Sequence, residues 1–494
     1  MKIGVDLGST NTTACLWDGR LRMIEMSQSG ATSIPSVVTI VGNDVLIGQE
    51  AVEAGRMNPD YDFRNFKRNL AQRWHDEEDT GFQTMRGPDG MLHYRGPGEF
   101  TYSPTELCAH VLAEVVKRAN AFLAPHDTVT GAVIGVPATF EPDQIAAVKE
   151  AARLAGLEDV STLEEPVAAA IANGVDAKRA SCTFVVDFGG GTLDTSILRA
   201  GGGLNRIVAK NGISDLGGTD FDKRIADYVT NLFRTEHRKL IDENVLADNG
   251  QLDRVMSKIL VEAEAVKKRL SDKEETTFRL ENVTRTKDGV TLHMIYPVDR
   301  TVFGELTKDL VERMISACKA TIDDARRKDP KFTIRDISGG VLLVGGMTRV
   351  PAVRQAVTDF FGKAPRKDEN PEMVVAQGLA IKAAIIEGRR PDVTVEDITS
   401  LDVAIETTNE IPAIIIPRGS PFPLEKTFTL SNETDEQTEL SVRLLYATRP
   451  RATDCHLLDA QDVTFPAVPA ETLRAKLVVR IDEEGHPSIV SIAA

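Results

Sequence analysis

Apolar runs that halt at a carboxylate, turn through glycines and resume on the far side organise this chain. Residues 183–198, TFVVDFGGGTLDTSIL, begin as a β-branched run, break at Asp187 into Gly189, Gly190, Gly191 and Thr192, and continue from Leu193 to Leu198. The period predicts a strand, a tight turn and a second strand. Residues 3–16, IGVDLGSTNTTACL, repeat the order: an apolar strand, Asp6, the turn residues Gly8, Ser9, Thr10 and Asn11, and another apolar strand. Two copies of one hairpin predict an internally duplicated fold, with a loop from each half facing a shared cleft.

Segments 34–41 and 45–48 read as strands, and the glycine- and proline-rich stretch 81–100 as a hairpin or loop. Ser103-Pro104-Thr105-Glu106 has the form of a capping box, with Leu107, Val111, Leu112, Val115 and Phe122 on the apolar face of the helix that follows. Gly131–Pro137 reads as a strand, Pro142–Ala155 as a helix stopped by Gly156, and Glu164-Glu165-Pro166 as the start of a helix ending at Asn173-Gly174. Gly217 and Gly218 precede a helix N-cap, 261–271 is a charged helix, and an amphipathic helix over 303–326 turns Leu306, Leu310, Met314, Ile315 and Ile322 inward. Val341–Val344 is a buried strand ending at Gly345 and Gly346, and Asn370-Pro371-Glu372 starts a helix that closes at Gly388. From 403 the pattern changes to short alternating strands at 413–416, 426–430, 438–445 and 473–479.

A length of 494 residues suits several domains with ample buried core. The net charge of −16 argues against nucleic acid as the main partner. Five scattered cysteines with no Cys-x-x-Cys pair read as free thiols in a reducing compartment. The start carries no charged and apolar leader pattern and no apolar run reaches membrane length, so a soluble, cytoplasmic protein without a membrane partner is expected.

The candidate chemistry lies in the glycine turns. Gly189, Gly190 and Gly191 let backbone N–H groups approach an anion, while Asp187 and Asp194 supply carboxylates for a cation beside it, which suits a metal nucleotide. A lone glycine triplet also fits a plain tight hairpin, and it is the second copy that favours phosphate. Neither loop is a Walker loop, because no Gly-Lys-Ser/Thr opens a helix, nor a dinucleotide fingerprint, since a strand follows. The two motifs resemble the phosphate loops of the actin, sugar-kinase and heat-shock ATPase superfamily, and their wording is similar to the DnaK-type, 70 kDa heat-shock chaperones.

That resemblance implies an α/β fold: a duplicated actin-like ATPase domain of two lobes over 1–390, a linker over 391–402 and a small antiparallel β-sandwich over 403–494. It implies ATP or ADP with Mg²⁺, the ion held largely through water by Asp6, Glu165 and Asp187, and phosphates held by Thr10, Thr192 and the glycine turns, with Gly217 and Gly218 as a further contact. Lys67, which an ordinary reading of the basic run 63–74 would leave on a solvated surface, matches the family lysine that reaches the γ-phosphate and attacking water. Asp194 would assist deprotonation. Pro137 stands where the family has a switch proline. Glu264 and Lys267 match the ribose positions, Lys268 the adenine face and Ser271 its edge, with Gly345, Gly346, Arg349 and Glu372 completing the adenosine end. Two of these positions depart from the family: Lys268 replaces the usual arginine, and Glu372 the usual aspartate.

The family's linker carries four consecutive aliphatic residues that dock on the ATPase domain. Here Ile398 and Leu401 flank Thr399 and Ser400, so several kcal/mol of docking energy, at about 1.5–3 kcal/mol per buried aliphatic, are expected to be lost. Asp402 is kept. The inner groove loop of the sandwich reads as shortened and the chain ends at Ala494, which implies that the family's helical lid is absent. The expected function is an ATP-hydrolysing chaperone for unfolded or extended polypeptide, with a nucleotide-exchange factor and a J-domain cochaperone as partners. The position of the family's J-domain-contacting arginine falls near Ser161. Two alternatives remain: a nucleotide-gated module with one dedicated protein partner, and a small-molecule kinase of the same superfamily.

Overall fold

The computed structural model describes residues 1–27, 29–75, 83–174, 180–201, 204–242, 251–366, 370–407 and 409–493. Two sheets with matching strand order form the first and larger part. In one, Lys2–Leu7 lies parallel to Gly131–Val136 and antiparallel to Asn11–Trp17, which in turn pairs with Leu21–Met23. In the other, Ser181–Phe188 lies parallel to Gly340–Val344 and antiparallel to Leu193–Gly201, which pairs with Leu204–Ile213. This repeated topology is the expected duplication. Gly131–Val136 is buried throughout and Ser181–Phe188 in all but its first residue, as suits central strands covered on both faces.

Each sheet carries its own apolar core, and a third core joins them. This third core is built on helices Glu165–Gly174 and Val374–Ile386. The helices approach so closely that a Cβ on Gly378 would stand 1.8 Å from the Ala168 carbonyl oxygen, so only glycine fits at the crossing. Fixing this crossing fixes how the two glycine hairpins face one another.

The capping box is present as read: Ser103 accepts from the Glu106 amide, Glu106 returns to Ser103, and the helix runs Pro104–Leu123. The long helix spans Arg300–Lys328 with Leu310, Met314 and Ile322 buried, whereas Leu306 and Ile315 are only half-buried at the edge of that face. The helix expected to open at Asn370-Pro371-Glu372 begins instead at Val374. Pro371 is held in a turn by the Gly345 amide, and Glu372 is paired with Arg349, so both serve the cleft rather than the helix. The stretch 81–100 contains strands Thr84–Arg86 and Leu92–Arg95, which with Thr101–Tyr102 make a small sheet. Positions 81, 82 and Ala494 lie outside the described residues.

From Val403 onward two antiparallel sheets face each other. One orders Pro412–Ile416, Val403–Glu406, Glu439–Tyr446 and His456–Thr464; the other orders Leu424–Leu430, Ala475–Ile481 and Pro487–Ala493. Val403, Ile416, Leu444, Leu477, Val479 and Ile481 fill the space between them. Three of these strands escaped the pattern reading. Val403–Glu406 is very short, while His456–Thr464 and Pro487–Ala493 pair through register shifts that interrupt the alternation.

The segment expected to be a linker docks on the second sheet, by other means than an aliphatic run. Thr394–Ile398 extends the second sheet as a strand parallel to Leu204–Ile213, and Ile398, 5% exposed, joins the core between the lobes. Beneath it the buried Lys210 ammonium bridges Glu164 at 2.8 Å and Asp397 at 3.1 Å, and Ser400 bonds Glu164. Asp402 accepts the Arg418 amide at 2.7 Å. Strand pairing and a buried ion cluster thus replace much of the apolar contact that the sequence lacks.

All five cysteines are free and four are buried; burial pushes the Cys15, Cys108 and Cys318 thiols up to about 12, which leaves them inert at neutral pH. Among the described residues, no helix is long and apolar enough to cross a membrane.

Candidate functional site

The two hairpin turns meet across a cleft of about 360 Å³. They touch directly: a Cβ on Gly190 would lie 2.0 Å from Thr10 Oγ1, and one on Gly191 2.4 Å from Ser9 Oγ. Thr219 ties the following helix to the same loop by donating to the Gly190 carbonyl at 2.8 Å, and Arg68 reaches Asp220 at 3.1 Å from the other half. The turns therefore offer backbone amides and hydroxyls with no side chain between them and a guest. Gly190→Ala is expected to displace Thr10 and to weaken nucleotide binding by about 100-fold, the equivalent of about 3 kcal/mol, which titration calorimetry would measure.

Carboxylates crowd the floor. Lys67, which is 4% exposed rather than on a solvated face, donates to Glu165 at 2.7 Å. Burial would lower its pKa, but Glu165 and Asp6 outweigh that effect and raise it, so the ammonium is firmly charged. Asp6 opens onto the cleft, yet desolvation, with Glu165 adding to it, pushes its carboxyl up to about 7. Asp187 is raised well above the usual carboxylate range by burial first and then by Glu165, Asp6 and Asp194. One lysine for Asp6, Glu165 and Asp187 leaves negative charge that a divalent cation would neutralise. Among the described residues no three His, Cys, Asp or Glu side chains form a direct metal cage. Thr13 Oγ1, buried on the cleft wall, has no hydrogen-bond partner among the described residues. These features fit a magnesium nucleotide.

The sign of the pH dependence follows from Asp6. Its folded pKa lies above the ordinary 3.8, so stability of the nucleotide-free protein falls as pH rises from about 4 through about 7. The cation needs the ionised form, whose fraction changes roughly ten-fold between pH 8 and pH 6 for a group titrating at about 7. Mg²⁺-dependent nucleotide affinity is therefore expected to weaken about ten-fold over that interval, and calorimetry at the two pH values checks it.

Of the residues read from sequence, Asp6, Gly8, Ser9, Thr10, Asn11, Lys67, Glu165, Asp187, Gly189, Gly190, Gly191, Thr192, Gly218, Glu264, Lys267, Lys268, Ser271, Gly345, Gly346, Arg349 and Glu372 all line this cleft. Asp194 and Gly217 do not. Asp194 is buried behind the wall, where it accepts the Ala138 amide at 2.9 Å, and its burial holds the carboxyl well above the usual range. Gly217 packs behind the loop, its hypothetical Cβ 2.6 Å from Gly190 backbone. Lys267, expected at a ribose, is bonded to the Gly218 carbonyl and Asp222 at 2.9 Å each. At the far end two ion pairs form the rim: Glu264 with Lys268 at 2.8 Å, and Arg349 with Glu372 at 3.0 Å. Lys268 is 64% exposed, so a base there would meet a mobile ammonium rather than a fixed plane.

Sequence reasoning missed Thr13, Ser33, Asp272, Met347, Val350 and Pro371 on the same wall. Asp272 follows Ser271 directly and Thr13 stands two residues after Asn11 on the same strand face, so both had a signal. Ser33 had none, since only its pairing with Thr13 brings it there.

The family model described as Hsp70 protein matches residues 2–494. With a duplicated two-lobed ATPase fold, a nucleotide-shaped cleft and a β-sandwich spanned by that match, this chain belongs to the Hsp70 family, whose members are in general chaperone-type ATPases that bind ATP or ADP with Mg²⁺.

Proposed function

We propose that this chain hydrolyses ATP slowly and uses the nucleotide state of the cleft to gate binding of unfolded or extended polypeptide at its β-sandwich, with residues 1–390, 391–402 and 403–494 as ATPase, linker and client-binding parts. The observation that carries this reading is the pair of interlocked glycine turns over a carboxylate floor held by the buried Lys67. A bound Mg²⁺ would draw charge off the phosphates. Asp6, Asp187 and Glu165 would accept hydrogen bonds from the waters around that ion, and Thr10 and Thr192 would donate to phosphate oxygens. Lys67, held by Glu165 at 2.7 Å, would orient the attacking water and stabilise charge on the transferring group. Asp194, held behind the wall by the Ala138 amide, would take up the released proton only through an intervening water.

The linker strand supplies the route from cleft to sandwich. Glu164, the neighbour of Glu165 in sequence, holds Lys210 and Ser400, so a shift of the Glu165 helix start is felt directly at the linker. A J-domain cochaperone and an exchange factor are the partners expected from the family, and the cytoplasm the expected compartment. Single-turnover hydrolysis with and without Mg²⁺ tests the proposal. Mg²⁺-dependent cleavage that Thr192→Ala slows by about ten-fold or more supports it, whereas equal rates in the two proteins would remove Thr192 from the reaction.

One observation favours a second reading, a module with a dedicated partner. Ile411 and Ile414 stand 58% and 55% exposed at the edge of the first sandwich sheet. An exposed apolar edge suits one fixed surface.

A further inference from the structure

We propose that inorganic phosphate formed in the cleft leaves by a second mouth, separate from the one that admits the nucleotide. This rests on the ATPase reading above: hydrolysis joins a water oxygen to the γ-phosphorus as the bond to the ADP oxygen breaks, yielding ADP, hydrogen phosphate and one proton. With ADP still seated on the glycine turns, the adenosine-side entrance is blocked by the other product.

The structure contains an alternative path. A cavity of about 440 Å³ adjoins the nucleotide cleft at Ser9, Lys67 and Thr192, residues that line both. Those three stand at the phosphate end, and beyond them the two linings share nothing. From there the second cavity runs between the 68–72 segment and Pro137–Gln144 and opens beside Ser214 and Asp215.

Its lining suits an anion in transit. Lys67 and Arg68 place two cations near the inner end, each already held by a carboxylate, Glu165 and Asp220, so that they attract phosphate without retaining it. Midway, Thr139 Oγ1 is buried with no hydrogen-bond partner among the described residues and can serve a passing oxyanion or its water. At the rim stand Glu141, Asp143 and Asp215, whose charge would otherwise oppose exit. Asp215 is neutralised by Arg313 at 2.7 Å, and Asp143 lies 3.3 Å from His456 of the β-sandwich. The mouth therefore opens where the sandwich docks.

The test separates chemistry from release. Ser214→Trp places an indole at the mouth from an exposed turn position, and Gln144→Trp plugs it from the opposite wall should the first variant fold poorly. Each is mixed with ATP and Mg²⁺ and followed in three ways: acid quench for cleavage, a fluorescent phosphate-binding reporter for phosphate release, and a fluorescent ADP for nucleotide release. The proposal expects cleavage and ADP release near the parent rates with phosphate release slowed about ten-fold or more. Phosphate release at the parent rate in both variants, with cleavage intact, overturns the route. Absence of cleavage in the parent protein would instead overturn the ATPase reading, and the route with it.

Discussion

Single-turnover ATP hydrolysis by Lys67→Ala is expected to fall by about 10²–10³, with nucleotide affinity changed far less. The reason is electrostatic. Lys67 is a buried cation beside Glu165, and its charge is secured by Glu165 at 2.7 Å and by Asp6. Affinity rests mainly on the glycine turns, the hydroxyls and the cation, which the substitution leaves in place. The same change strips Glu165 of its buried partner, so the nucleotide-free variant should also lose roughly 3–5 kcal/mol of stability. Magnesium nucleotide is expected to restore part of that loss, because it neutralises the same carboxylates. Rapid quench and thermal unfolding with and without the nucleotide check both halves. A variant that hydrolyses at the parent rate would show that Lys67 is structural only.

The second large effect is expected at Lys210→Met. Lys210 is buried between Glu164 and Asp397, and its removal leaves two carboxylates facing each other without a cation. Breaking such a pair costs roughly 3–5 kcal/mol, enough to free the 394–398 strand about 10²–10⁴ times more often. Hydrogen exchange at amides 395–398 reads this opening directly. Burial raises the Glu164 pKa even with Lys210 present. Without the lysine the Glu164 carboxyl protonates more readily still, so the acceleration should be large at pH 8 and should shrink as the pH falls. Unchanged exchange would mean that strand pairing and Ile398 hold the linker unaided.

What could be read from sequence was what is local. The hairpins 3–16 and 183–198 carry their strands, turns and ligands within one stretch each, and the structure places those turns face to face. The box at Ser103 and Glu106 is likewise complete within four residues. What escaped depends on distant partners. Ser33 enters the cleft through its pairing with Thr13, Arg68 finds Asp220 across the two halves, and Lys267 is committed to Asp222. The linker is the clearest case. Counting its aliphatic residues predicted weak docking, because Lys210, Glu164 and Asp397 come from three separate segments and form a cluster only in the fold. Asp194 was placed with the cleft residues by its motif, but its strand carries it behind the wall to the Ala138 amide.

The central claim is that nucleotide in the cleft governs what the β-sandwich holds. Anisotropy of a fluorescent extended apolar peptide, titrated with the full chain in ADP and again in ATP with Mg²⁺, tests it most directly. The account predicts tighter binding in ADP, about ten-fold or more, with release on exchange to ATP. Equal binding in both states would contradict the coupling, and no binding in either would contradict the chaperone reading in favour of a dedicated partner.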